Sequence, residues 1–157
     1  MVSGSSKSPR DRRAGRKPDN LALRELSGGA IRHVIHDAGD TISASDAPEI
    51  VLRIAGRGKI GWPEAPTKDR SGAAIFVPPG QTLTILGKVR ALRVALPGLE
   101  VTASMGPLSD ALISLLIPRA WHAPEPIAQA AFTLVCLLVE EDLQQRGRPQ
   151  RERSPLR

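Results

Sequence analysis

Residues 72–97 read GAAIFVPPGQTLTILGKVRALRVALP, and this stretch decides the fold class. Three apolar segments in it are separated by Pro-Pro-Gly and by Gly-Lys, which are turn-forming sequences. Short apolar segments bounded by turns predict strands rather than helices. The predicted strands are residues 73–77, 83–86 and 89–96.

The same pattern continues upstream, where residues 31–35 and 50–54 predict two more strands. Gly56-Arg57-Gly58 follows the second of these and predicts a hairpin, with residues 59–62 pairing back onto that strand. A spacing of about 8–12 residues per strand favours an antiparallel sandwich or barrel over a fold of alternating strands and helices.

Downstream of residue 97 the pattern becomes helical. Leucines at positions 108, 112, 115 and 116 recur at helical spacing, so residues 107–117 predict a helix that Pro107 opens and Pro118 ends. A longer helix is predicted from about Glu125 to Gln145. The fold class is therefore mainly β with α: a small antiparallel β-barrel followed by two helices.

The second helix carries more apolar surface than one packing face needs. Either it is buried wholly within its own chain, or a second copy of the chain covers part of it. We favour a homodimer, because a domain of this size has few elements with which to wrap the helix. The predicted dimerisation residues are Phe132, Val135, Leu138 and Val139.

The length and charge distribution predict one domain with two basic tails. The chain has 157 residues and a net charge of +6, since residues 1–19 and 146–157 carry +4 each and residues 20–145 carry −2. We expect disordered tails at 1–19 and 146–157, a barrel over 20–98 and a helical pair over 104–145. The tails either solubilise the chain or bind nucleic acid weakly, with an affinity that falls as the salt concentration rises.

Several protein classes are excluded or disfavoured. No apolar run is long enough for a transmembrane helix, and the polar N-terminus does not resemble a secretory signal. Cys136 is the only cysteine, so an internal disulfide is excluded, which fits a cytoplasmic location. No phosphate loop, nucleophile elbow or carboxylate pair is present, and we expect no cofactor and no enzymatic activity.

Three side chains are candidates for binding a small-molecule effector in the barrel: Arg53, Trp62 and His33. Arg53 interrupts an apolar strand and points either into a polar lumen or to water. Trp62 covers a pocket mouth or closes the barrel end. His33 and His36 are three residues apart, which on a strand places them on opposite faces and disfavours a shared metal.

The spacing Gly72-x5-Pro78-x-Gly80 resembles the second sequence motif of cupins, which implies a cupin barrel. In metal-binding cupins a His follows three residues after the last Gly, and here that position is Leu83. The His-x-His and Glu of the first cupin motif have no counterpart near residues 55–70. The resemblance therefore implies the cupin fold without its metal.

The order of segments is similar to the sensor domain of AraC-type transcriptional regulators over about residues 20–145. Residues 50–60 resemble the opening strand and turn of that domain, and residues 89–97 resemble its closing strand. The two helices resemble the pair that dimerises the domain. The resemblance implies an effector-sensing and dimerisation module, here without the helix-turn-helix domain that reads DNA.

Two alternatives remain open. A small metal-independent cupin isomerase or lyase would need a general base, for which His33 is the first candidate. A nucleic-acid-associated protein would act through the two basic tails.

Overall fold

The computed structural model describes residues 19–44, 46–64, 72–99, 106–108 and 110–147. Nine strands and two helices form in these residues, so the fold is mainly β with α, as predicted. The strands are β1 (Asp19–Leu26), β2 (Gly29–His36), β3 (Thr41–Ser43), β4 (Glu49–Gly56), β5 (Lys59–Gly61), β6 (Ala74–Val77), β7 (Thr82–Leu86), β8 (Val89–Ala95) and β9 (Gly106–Leu108). The helices are α1 (Ala111–His122) and α2 (Glu125–Gly147).

The strands pair in a nested order. A six-stranded antiparallel sheet runs β1-β2-β8-β4-β6-β9, and a three-stranded sheet runs β3-β7-β5. Within them β2 pairs with β8, β3 with β7, and β4 with β6, so each pair encloses the next along the chain. This nesting is the strand order of a double-sheet jelly roll.

The molecule has three layers. Alternate side chains of the six-stranded sheet face either the helices or the three-stranded sheet. Phe76, Leu92 and Val94 pack with helical residues such as Ile117 and Val135, whereas Ile75 and Ala91 belong to a second core shared with the small sheet. No ladder joins the two sheets in the described residues, so the predicted barrel is an open sandwich of two sheets.

The predicted strands form, but one predicted pairing is wrong. Residues 59–62 were expected to fold back onto β4, whereas β5 pairs with β7 in the small sheet. Gly56 has a φ of +102°, and the Gly58 amide donates to the Lys88 carbonyl at 3.0 Å. The chain therefore crosses from one sheet to the other at this turn, which local turn chemistry does not reveal.

The first helix differs from its prediction at both ends. Pro107 lies in β9 opposite Ile75, and α1 begins after Asp110, whose carboxylate accepts the Leu112 amide at 2.8 Å. Pro118 lies inside the helix, which continues to His122. Burial of Ile117 and Ala120 against the sheet offsets the backbone hydrogen bond that Pro118 cannot donate.

The helical pair is fastened to the first hairpin of the large sheet. Arg24 of β1 donates to the carbonyls of Trp121 and Ala123, at 2.9 and 2.7 Å, in the connection between the helices. Gln129 of α2 donates to the Ser27 carbonyl at 3.0 Å and accepts the Ser27 amide at 2.8 Å. These bonds set where α1 and α2 lie on the sheet.

The predicted tails lie almost entirely outside the described residues. Asp19, at the end of the predicted first tail, already belongs to β1. Arg146, at the start of the second, belongs to α2 and donates to Asp142 at 2.7 Å. Neither described helix combines the length and the apolar character that crossing a membrane requires.

Candidate ligand-binding surfaces

The three predicted ligand residues do not form one site. His33 lies opposite Leu92 on the helix-facing side of the large sheet. Arg53 lies opposite Ala91 on the other side, and Trp62 is buried in the core between the sheets. The expected common site in the lumen is wrong, because apolar side chains from both sheets pack together there. Those of the small sheet are Ile42, Ile60, Leu83 and Ile85.

Arg53 and Trp62 both have structural roles. The Arg53 guanidinium donates to the Gly56 carbonyl at the end of its own strand, and its buried Nε has no hydrogen-bond partner. The Trp62 side chain is 6% exposed and packs with Val89 and neighbouring core residues. Trp62 therefore completes the inner core instead of covering a pocket mouth.

His33 contacts the last turn of α1. Its ring meets the Trp121 ring edge-on, with 5.9 Å between centroids, and the Trp121 ring meets that of His122 at 6.4 Å. The His33 Nε2 is buried without a hydrogen-bond partner. Burial lowers the pKa of His33, and the nearby Arg90 and His122 lower it further. The imidazole is therefore neutral near pH 7.

A groove lies beside this aromatic contact on the outward side of α1. Its volume is about 450 Å³, and its lining residues are Leu115, Leu116, Pro118, Arg119 and His122. Leu115, Arg119 and His122 lie on one helical stripe, opposite the stripe formed by Ile113, Ile117 and Ala120 that packs on the sheet. The groove thus combines aliphatic walls with two nitrogen-bearing side chains.

A buried polar cluster occupies the side of the large sheet that faces the small sheet. Arg93 donates to both carboxylate oxygens of Glu49, at 2.9 and 3.0 Å, and its second nitrogen also reaches the Ser43 carbonyl at 3.4 Å. His36 is fully buried, and its Nδ1 is 3.8 Å from the Asp40 carboxylate, too far for a hydrogen bond. The cluster joins β2, β4 and β8 within the sandwich.

A smaller cavity of about 180 Å³ lies where α2 meets the β1–β2 turn and the end of β8. Gly28, Leu96, Gly98, Leu99, Cys136 and Glu140 line it. Burial and the neighbouring Glu140 raise the pKa of the Cys136 thiol. The thiol is thus protonated at neutral pH, as expected for a cysteine that packs as a small apolar residue.

Three of the four predicted dimerisation residues face inward. Phe132, Val135 and Val139 are at most 1% exposed and form part of the core between α2 and the sheet, whereas Leu138 is half-buried and packs against that core. Phe132, Val135 and Val139 are therefore unavailable to a second chain, which corrects the sequence interpretation for these three. The exposed apolar residues of the helices are Leu112, Leu115, Ile127, Leu134 and Leu137.

Sequence reasoning found His33 but missed its neighbours. Arg90, Trp121 and His122 come from β8 and α1, and no local pattern relates them to β2. His36 was considered in the sequence only as an unfavourable metal partner of His33. No group of three metal-ligating side chains forms in the residues that the structure describes.

Comparison with known proteins gives distant similarities. The sequence matches no protein-family model and no curated protein. The structure is similar to a cupin-2 domain containing protein from Shewanella frigidimarina, with 12% identity over 58% of this chain and 94% of that chain, at a TM-score of 0.37. It is also similar to oxalate decarboxylase from Bacillus subtilis, with 16% identity over 84% of this chain and 40% of that chain, at a TM-score of 0.29. At these scores neither similarity carries an argument about fold or function.

Proposed function

We propose that this chain is a cytoplasmic, non-enzymatic module that senses a small-molecule effector and forms a homodimer. Its class is that of the cupin-type sensor domains of AraC-like transcriptional regulators. The effector changes how the helical pair packs, and the dimer transmits the change.

The nested strand order supports the cupin part of this proposal. Cupins are double-sheet jelly rolls, and the pairing of β2 with β8, β3 with β7 and β4 with β6 has that order. The helical pair follows the last strand, as in the resemblance noted in the sequence. The turn at Pro78-Pro79-Gly80 lies directly between β6 and β7.

One observation carries the dimer: the outward apolar face of the helical pair, defined as Leu112, Leu115, Ile127, Leu134 and Leu137. These side chains are 39–70% exposed, and none of them belongs to the core that packs on the sheet. Five exposed aliphatic side chains on two adjoining helices are typical of a protein contact surface. A second copy of the chain fits it, because two identical apolar faces bury each other in a symmetric dimer.

The same helices are connected to the sheet by directional bonds. Arg24 and Gln129 fasten the helical pair to β1 and to the turn that follows it, so a ligand that displaces this hairpin also displaces the helices. A ligand shifts the packing only through different affinity for the two arrangements. A partner chain that packs on the outward apolar face would bind the two arrangements with different affinity.

Sedimentation equilibrium of the full chain tests the dimer. We expect the wild type to be a dimer at micromolar concentration and the Leu137→Glu variant to be a monomer, because the new carboxylate would be buried without a partner. Leu86→Glu is the matched control, since Leu86 is 42% exposed on β7, away from the helices. It should remain a dimer.

A wild type that stays monomeric at all concentrations would overturn the dimer. A Leu137→Glu variant that stays dimeric would show that the chains meet through another face. Circular dichroism of each variant establishes that the fold is retained.

A further inference from the structure

Five basic or imidazole side chains converge where β1, β2 and β8 meet the end of α1. Arg24 is bound to the helical connection, His33 and His122 flank Trp121, and Arg90 lies near His33. Arg119 lies one turn before His122 and lines the groove with it. The cluster is therefore continuous from the sheet to the groove.

No carboxylate neutralises this cluster within the described residues. The ion pairs there join His36 with Asp40, Arg93 with Glu49, and Arg146 with Asp142, and none includes a member of the cluster. The charged and imidazole neighbours that act on His33 are Arg90 and His122, and both disfavour its protonation. The three arginines of the cluster carry the positive charge, and positive charge without a counter-charge attracts an anion.

A polar atom in the cluster also lacks a partner. The His33 Nε2 is buried and makes no hydrogen bond, although buried nitrogens are normally paired. Trp121 holds the ring edge-on and thereby fixes its orientation. His33 is therefore held against the end of α1 and does not itself line the groove.

The groove supplies the apolar part of a binding site. Leu115, Leu116 and Pro118 line it, and its length from residue 115 to residue 122 is about two turns of helix, roughly 10 Å at 1.5 Å per residue. Its volume of about 450 Å³ suits a compact molecule and lies within the usual range of ligand sites. Arg119 and His122, the two nitrogen-bearing side chains of the lining, lie near the C-terminal end of α1 and thus at one end of the groove.

We propose that the α1 groove binds a compact organic anion, a carboxylate with an apolar body, whose charged group lies beside Arg119 and His122 while its body contacts Leu115 and Leu116. The ligand site is thus outside the sandwich, at the junction of sheet and helices. Both the guanidinium of Arg119 and an imidazolium match a carboxylate in charge and donor geometry.

This inference deepens the proposed sensor function, because Leu115 belongs both to the groove and to the outward apolar face. A bound anion and a second chain would therefore meet at Leu115, and each would alter the affinity of the other. Binding itself needs only one chain. The monomeric Leu137→Glu variant should still bind the anion, so failure of the dimer and failure of the site are separable.

Isothermal titration calorimetry with 4-butylbenzoate tests the site, with 4-butylbenzyl alcohol as the uncharged probe and benzoate as the probe without the tail. We expect 4-butylbenzoate to bind at least about tenfold more tightly than either, since a charge-assisted hydrogen bond and a buried alkyl chain each contribute on that scale. Arg119→Gln and His122→Gln should each weaken binding about tenfold. Lys59→Gln, which removes an exposed cation from β5, should not.

Proton NMR gives a second readout, because the chain has three histidines and each imidazole gives its own signal. On addition of 4-butylbenzoate the signal of His122, which lines the groove, should move towards that of the protonated imidazole, since the anion stabilises the imidazolium form. The signal of the fully buried His36 should not respond, because it lies on the other side of the sheet.

Three results would overturn the proposal. Equal affinity for the acid and the alcohol would mean that the groove does not recognise charge. An equal loss in Lys59→Gln and Arg119→Gln would mean that binding is general electrostatic attraction. Absence of binding, with the His122 signal unchanged, would mean that no site exists.

Discussion

At the residue scale, His36 determines how the folded state responds to acid. The side chain is fully buried on β2, and neither ring nitrogen has a hydrogen-bond partner. Burial, together with the nearby Arg93, lowers its pKa to about 4 against the opposing effects of Asp40 and Asp37. The unfolded chain therefore binds a proton at His36 more readily than the folded chain does.

The sign of the pH effect follows from that difference. Well above pH 6.5 the imidazole is neutral in both states and contributes no pH dependence. As the pH falls from 6.5 towards 4, only the unfolded state is protonated, so stability decreases. The full difference in pKa corresponds to about 3 kcal/mol of unfolding free energy.

Urea denaturation at pH 7.0 and pH 4.5 measures this loss. The His36→Leu variant should lose less stability between the two values than the wild type, because its apolar side chain does not titrate. His122→Leu is the control, since that imidazole is exposed. An unchanged pH dependence in His36→Leu would mean that other groups cause the acid sensitivity.

At the element scale, the Arg93–Glu49 pair joins β8 to β4 inside the sandwich. Both side chains are at most 9% exposed, and the Arg93 guanidinium binds both carboxylate oxygens of Glu49. A buried ion pair gives little net stability, whereas removal of one partner leaves an uncompensated buried charge. The two side chains are therefore energetically coupled, and the loss of one charge costs more than the loss of both.

A double-mutant cycle tests that interpretation by urea denaturation. Glu49→Leu alone should cost about 3–5 kcal/mol, because Arg93 would be left buried without its carboxylate. The double variant Glu49→Leu/Arg93→Met should be more stable than Glu49→Leu, since both charges are gone. A double variant as unstable as the sum of the single changes would mean that the two residues act independently.

At the scale of the whole molecule, the three layers leave one face of the helical pair without a cover inside the chain. Stability should therefore depend on protein concentration, because a dimer that dissociates on unfolding is favoured by mass action. The thermal midpoint of the wild type should rise with protein concentration. That of Leu137→Glu should stay constant, and calorimetry over a hundredfold concentration range would detect the difference.

The predictable part of this protein is local. The strands at residues 31–35, 50–54, 73–77, 83–86 and 89–96 all form, because apolar alternation and Pro-Gly turns act over a few residues. The edge strand β1 was missed, since most of its described side chains are exposed and give no apolar pattern. The end of the first helix was predicted too early, at Pro118. The hydrogen bond that Pro118 cannot donate costs less free energy than the packing of Ile117 and Ala120 provides, and this packing is not visible in the sequence.

The candidate site was predictable only in part. His33, Arg53 and Trp62 were all predicted as ligand residues on the assumption of an open lumen, and the structure places them on different sides of the large sheet. Interior packing fills that space with aliphatic side chains from both sheets.

The sequence by itself determined the fold class, the strand positions, the two helices and the excess of apolar surface on α2, because these depend on composition and local periodicity. Only the tertiary structure decided that β5 pairs with β7, that Phe132, Val135 and Val139 face inward, and that His33 meets Trp121 and His122. Each of these depends on contacts between residues far apart in the chain, and such contacts arise from the packing of whole elements. Local patterns specify which elements form, and packing specifies which of their faces meet.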